Sequence, residues 1–238
     1  MVHRTRAIVL HKVNYSESSL VVQVYSFEFG KISLLVNGAK RKKSRNKSAL
    51  FESLSLLEIS GNFTNTDKLI RPSEVKIEIP WVSIQTKIDK RLIAMFLAEV
   101  IHKSIKESFP DRSLYLFIER SLIYLENSTE NVANFHLVFL LELSKFFGFY
   151  PLKGNGEFFS VSEGVFLNSV PNLSAYLRGD DRDIFHSLLS VRLDNCHELK
   201  ITGNQRKTAL KNILDYYKVH NVGMGEIKSH HILETIFL

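Results

Sequence analysis

The sequence predicts an α+β chain, a small β-barrel over residues 1–80 followed by a helical domain over 81–238. Three observations predict it. Before Pro80, short runs rich in β-branched and aromatic residues recur at roughly ten-residue spacing, with turn residues between them and no helical period. After Pro80-Trp81 the apolar residues recur at helical spacing instead. Between the third and fourth runs, Lys40 to Lys47 carry six cations in eight positions, and no acid lies between Glu28 and Glu52. Burying an unpaired ammonium is costly, so this segment is expected as a solvated loop between two strands.

The strands follow in order. Residues 4–12 read as the first, Asn14 to Ser18 as a turn, and Ser19 to Ser26 as the second. Gly30, able to supply positive φ, turns the chain into a third strand over Lys31–Asn37. After the basic loop, Ser53–Ser60 and Lys68–Ile79 make the fourth and fifth, and five such strands suggest a closed barrel.

Leu92, Ile93, Phe96, Leu97, Val100, Ile101 and Ile105 share one helical face. Pro110-Asp111 opens a second helix through Leu125, and Asn127 to Glu130 is a polar break with the pattern of a capping box. The third helix, about 131–147, is apolar nearly all round, as a central bundle helix is. Residues 151–180 are the least regular, with a hairpin expected near Glu163-Gly164; helices resume at about 181–190, 204–220 and 228–237.

The totals narrow the function. The formal charge is +6, yet residues 1–50 hold ten Lys/Arg against Glu17 and Glu28, so the other 188 residues sum to −2. Basicity concentrated in one segment is the footprint of a polyanion-binding surface. Cys196 is the single cysteine, which excludes an internal disulfide and a Cys-rich zinc module and fits a reducing compartment. The run Ala7–Leu10 is too brief for a signal peptide, and the apolar stretch Phe135–Phe149 is interrupted by His136, Glu142 and Lys145, so no membrane partner is expected.

Cations beside Tyr15, Tyr25, Phe27, Phe29 and Phe51 suit single-stranded nucleic acid, because cations track phosphates while stacking adds ~1–3 kcal/mol per base. Most of these rings are expected in the barrel core, with two of the five exposed. Metal and catalytic chemistry find little support. Cys196-His197 and His230-His231 are adjacent pairs, and neighbouring helix side chains diverge by ~100°. Asp180, Asp181 and Asp183 read as acids at a helix start, with a metal-dependent nuclease centre as the alternative. Gly154-Asn-Gly156 and Gly223-Met-Gly225 lack the Lys-Ser/Thr of a phosphate loop.

The runs Ala7-Ile-Val-Leu-His11, Tyr15-Ser-Glu-Ser-Ser19, Gly30-Lys-Ile-Ser33 and Gly38-Ala-Lys-Arg41, with Leu140-Leu-Glu-Leu143 and Phe147-Gly-Phe-Tyr-Pro151, resemble in order and spacing the signature of the RecO recombination mediators. The resemblance implies an N-terminal OB-fold, a C-terminal helical domain and a non-enzymatic DNA-repair role in the bacterial cytoplasm, at the nucleoid. It implies binding of single- and double-stranded DNA, strand annealing, and action with RecR and the C-terminal tail of single-strand-binding protein to load RecA. The family's basic loop maps onto Lys40, Arg41, Lys42, Lys43, Arg45 and Lys47, with Arg4 and Arg6 on the same face. Many relatives carry a four-cysteine zinc module after the segment ending at Pro151; Leu152–Leu167 has no cysteine, so no zinc or other cofactor is carried over. An RNA-binding OB-domain protein remains the alternative that the basic loop by itself allows.

Overall fold

The computed structural model describes residues 2–39, 48–106, 109–171 and 175–234. They gather into two compact units, 1–126 and 127–238.

The first unit is built on a five-stranded antiparallel sheet in the order β3-β2-β1-β4-β5. Its strands are β1 (His3–Asn14), β2 (Leu20–Ser26), β3 (Gly30–Val36), β4 (Leu56–Gly61) and β5 (Glu74–Ile79). Alternation places Ala7, Val9, Val22, Val24, Ile32, Leu34, Leu57 and Ile59 on one face, where they form a single core with Phe51, Phe63 and Ile70. Ile8, Leu10, Tyr25 and Leu56 are buried as well. The sheet is thus covered on both faces in its middle, which is why the helices that follow cluster with it: α1 (Ser83–Thr86), α2 (Ile88–Ser104) and α3 (Arg112–Asn127).

The fourth strand starts later than the sequence suggests. Glu52–Leu54 turn instead, Leu54 sits at φ 59° with its side chain buried, and its carbonyl accepts from Trp81 Nε1 at 3.0 Å. The packing around Trp81 holds a conformation that a leucine rarely adopts.

The expected barrel closure is not reached, and Pro72 accounts for one side of the gap. The free edge of β3 meets the segment before β5 through a single parallel bridge, Leu34 to Ile70, with Ile70 N–H donating to Ser33 O and Leu35 N–H to Ile70 O. The next donor in that register is residue 72, a proline, which has no N–H. The ladder stops there, and Leu35 C=O and Asn37 N–H are left facing the seam.

In the second unit, α4 (Phe135–Ser144) is buried at every position except Glu142, as its all-round apolar sequence predicts. A 3-10 turn (Lys145–Phe147) and Gly148 at φ 78° end it. Around it lie α5 (Gly179–Leu188), α6 (Gly203–His220) and α7 (His230–Glu234); the expected continuation of the last helix to 237 lies outside the described residues. The hairpin near Gly164 is present as β6 (Phe158–Ser160) and β7 (Val165–Leu167), and a third strand, β8 (Tyr176–Arg178), completes a small sheet in what the sequence suggested was an all-α domain. Three residues carry too little periodicity to be read as a strand.

No capping box forms at Asn127–Glu130. The helix begins at Phe135, and the side chain of Asn134, its N-cap, instead donates to the carbonyls of Cys196 and Leu199 at 3.0 and 2.8 Å. The capping box stands at the start of α6, where Thr202 and Gln205 exchange side-chain to backbone bonds.

Candidate nucleic-acid interface

The basic residues Lys40, Arg41, Lys42, Lys43, Arg45 and Lys47 lie outside the described residues; the segments flanking them are firmly held. The chain leaves the sheet through Gly38, at φ 71°, and Ala39, which is fully buried. It returns through Phe51, buried in the same core, with Leu50 packed against it. Both ends of the segment are therefore anchored in the first unit's interior, as apolar burial dictates.

Arg4 and Arg6 alternate onto one face of β1 and meet different surroundings. Arg4 is 63% exposed, with Glu58 3.5 Å away. Arg6 is held by Glu119 at 2.8 Å and lies 3.8 Å from Glu78. Its guanidinium also lies over the rings of Phe27 and Tyr115, at 4.6 and 5.2 Å, and Arg112 joins it over Phe27 at 5.0 Å. Burial pushes the Glu78 carboxyl up; Arg6 pulls it down, while Glu119 and Glu58 add to the rise. The Oε2 of Glu78 and the Tyr115 hydroxyl are buried without a hydrogen-bond partner. Arg6 is thus a strut between β1, β5 and α3. No spacing rule brings Glu119 to it, because the contact spans 113 residues.

Of the five candidate rings, only Tyr15 is exposed, where two were expected. Tyr25 and Phe51 are each 1% exposed, and burial pushes the Tyr25 hydroxyl up to about 12, against the backbone bond it accepts from Asp111. Phe27 and Phe29 are half-buried, Phe29 stacked on Phe63 at 4.5 Å. Lys31 was not singled out by sequence. Its ammonium donates to the carbonyls of His102 and Ile105, at 2.6 and 2.9 Å, at the C-terminal end of α2, where a cation satisfies orphan carbonyls. Burial holds its pKa below the ordinary lysine value.

The seam left by Pro72 opens into a pocket of about 190 Å³ lined by Leu35, Asn37, Phe51, Arg71, Pro72 and Val75, among others. The second unit carries a larger groove of about 600 Å³ along α6. Lys207, Lys211 and Lys218 stand on its rim, above Leu214, Met224 and Ile227.

Asp180 and Asp181 occupy the first turn of α5, but no side chain caps that helix, whose N-cap is Arg178. Asp183 is exposed and pairs with Arg182 at 2.9 Å. Among the described residues no three His, Cys, Asp or Glu side chains gather to hold a metal ion. In the segment after Pro151, Phe159 is fully buried and packs on Phe185, Phe166 and Tyr216, with ring centroids 4.5, 5.0 and 5.7 Å away. Nor, among the described residues, is any helix long and apolar enough to cross a membrane.

Comparison with known proteins agrees with this architecture. Residues 1–79 match the family model "Recombination protein O N terminal" and residues 85–231 match "Recombination protein O C terminal". Proteins named DNA repair protein RecO align over nearly the whole chain. That of Azobacteroides pseudotrichonymphae is 35% identical over all of both chains. That of Flavobacterium psychrophilum is 34% identical over 98% of each, and that of Bacteroides fragilis 32% over all of both. With both of its halves matched in order and full-length relatives above 30% identity, the chain belongs to the RecO family.

Proposed function

We propose that the protein is a DNA-binding recombination mediator without catalytic chemistry. Its residues 1–80 form an OB-fold that grips DNA through Lys40, Arg41, Lys42, Lys43, Arg45 and Lys47, with Arg4 beside them, and residues 81–238 dock protein partners. Membership of the family supports a role in DNA repair and recombination. The observation that carries the DNA grip is the +8 excess packed into residues 1–50 of a chain whose remainder sums to −2. Two polyanionic strands repel, and a cationic segment that holds both lets bases search for partners with no covalent step. Arg6 serves the same surface indirectly, by fixing β1 against α3.

RecR, the acidic tail of single-strand-binding protein and, through them, RecA are the proposed partners. For an acidic peptide, the groove along α6 offers Lys207 and Lys211 above an apolar floor, while its two acids are Glu226 and Asp215, the latter paired with Lys218 at 3.0 Å.

Fluorescence anisotropy of a labelled oligonucleotide tests the grip. Six phosphate contacts give a salt slope of roughly −4 on log–log axes for single strands. Replacing all six loop cations by Ala should flatten that slope and abolish annealing; unchanged binding and annealing would refute the loop assignment. Competition with RNA of the same sequence separates the DNA reading from an RNA-binding OB protein. Cleavage of labelled DNA with Mg²⁺ or Mn²⁺, lost in Asp181→Ala, would favour the nuclease alternative. Pull-down with RecR and with the tail peptide tests the docking role, and loss of peptide capture on Lys211→Glu would place it in the groove.

A further inference from the structure

We propose that the seam pocket seats a single nucleobase, so that the first unit holds a strand by a base as well as by its phosphates. The proposal rests on the DNA reading above and extends it to residues outside the basic segment.

Chemistry and position both argue for it. Where the ladder stops at Pro72, Leu35 C=O and Asn37 N–H face the seam as an acceptor and a donor on one edge. Every nucleobase carries donors and acceptors on its own edge, so the interrupted ladder offers it complementary groups. Leu50, Pro72 and Val75, each half-buried, add apolar surface for the faces of a ring. The volume, about 190 Å³, falls below the ~300–1,000 Å³ of pockets that take drug-sized ligands, which suits one ring system and excludes a whole nucleotide triphosphate.

Asn37 and Phe51 line the pocket and bracket the basic segment along the chain, so the pocket is built from the described residues next to it in sequence. Arg71 is exposed on the rim and brings a further cation; Glu74 also lines the pocket, with its carboxylate paired with Lys76 at 2.9 Å. Of the five candidate rings Tyr25 and Phe51 are buried and Phe27 and Phe29 are committed to ring contacts within the fold, which leaves Tyr15 as the one exposed ring among them. One exposed ring does not make a platform for successive bases, and the seam adds a second place for base contact.

The test compares a labelled oligothymidylate with an abasic sugar–phosphate oligomer of equal length and charge, both bound to the full chain. A phosphate-only grip treats them alike. A seated base makes the oligothymidylate bind tighter, by roughly five- to a hundredfold. Ser73→Trp, which fills the pocket mouth from an exposed position, should bring the two oligomers to parity without changing the salt slope. Arg71→Ala should weaken both equally and reduce the slope by about 0.7.

If Ser73→Trp does not fold, 2-aminopurine placed along the oligomer reads the same event in the unaltered protein, as a jump in emission when a base leaves its neighbours. Tight binding of both oligomers with equal affinity, or a folded Ser73→Trp that keeps the preference, or no 2-aminopurine response would overturn the pocket and leave the loop reading standing. Failure to bind either oligomer would overturn both.

Discussion

The two compact units hold their polar groups in different ways. In the first, long charged side chains cross between elements. Arg6 joins β1 to Glu119 of α3, Lys31 of β3 reaches the end of α2, and the Glu126 carboxylate takes the N–H groups of Val82, Ser83 and Ile84 at 2.8–2.9 Å. Burial pushes Glu126 up, but those three bonds and Lys90 hold it below the usual carboxylate value. In the second unit hydroxyls and rings do much of the joining, and the arginines that cross between elements meet neutral oxygens rather than carboxylates, Arg206 Nε donating to Asn134 Oδ1 at 3.0 Å and Arg182 Nε to Gly156 O at 2.8 Å. Tyr216 and Tyr217 donate to Phe149 O and Leu140 O, both at 2.6 Å, and Phe159 sits in an aromatic cluster. The difference teaches that a unit with net charge to display also uses charge internally, where burial leaves it partly hydrated. A unit without such excess closes on apolar area and on short bonds to carbonyls.

Substitutions test this contrast, beginning with the largest expected effect. Phe159→Ala removes a fully buried ring from the second unit's cluster and should cost about 3–5 kcal/mol in urea denaturation, with little response to salt. Arg6→Ala leaves Glu119 and the partly buried Glu78 without their cation and should cost ~1–3 kcal/mol. That loss should shrink at low pH, where the carboxylates are protonated. If Phe159→Ala proves the salt- and pH-sensitive variant, the contrast between the units is wrong.

Thr202→Ala deletes one arm of the capping box at α6 and should cost about 1 kcal/mol, equally at low and high salt. The smallest effect is that of mild acid. His136 is fully buried and its imidazole is pushed down from 6.5 to about 3 by burial, with Arg206 adding to the fall. The unfolded chain takes that proton near pH 6.5 and the folded one does not, so stability is complete above pH 6.5 and falls as the pH drops toward 3. From pH 7 to 6 the loss due to His136 should be below ~1 kcal/mol, and His136→Gln should remove that share. In the first unit His102 is pushed down to about 4 by burial, with Lys31, His11 and Lys103 acting in the same direction, so it contributes with the same sign between pH 6.5 and 4. A calorimetric pH series on each histidine variant separates the two.

Much of this was legible in advance where the determinant is local. The five strands, the positive φ at Gly30 and the fully apolar α4 follow from side-chain alternation, turn chemistry and periodicity. Boundaries failed where a distant contact overrode the local pattern. Ser53–Ser55 read as strand, but the Trp81 indole holds Leu54 in a turn and the strand begins at Leu56. Asn134 is diverted from capping by Arg206, whose Nε donates to its side-chain oxygen at 3.0 Å from more than sixty residues away in the chain.

The chain's composition and order determined, without coordinates, its α+β character, the concentration of positive charge between β3 and β4, and its family. These are properties of neighbours along the chain, and alternation, turn residues and charge runs act over only a few positions. Tertiary structure alone decided the roles of Arg6, Lys31 and the aromatic residues, because a guanidinium or a ring takes its role from whichever group packs against it. It also decided where the sheet stops. Pro72 is visible to any reader, but only the alignment of Ile70 with Leu34 makes its missing N–H the end of a ladder and the mouth of a pocket.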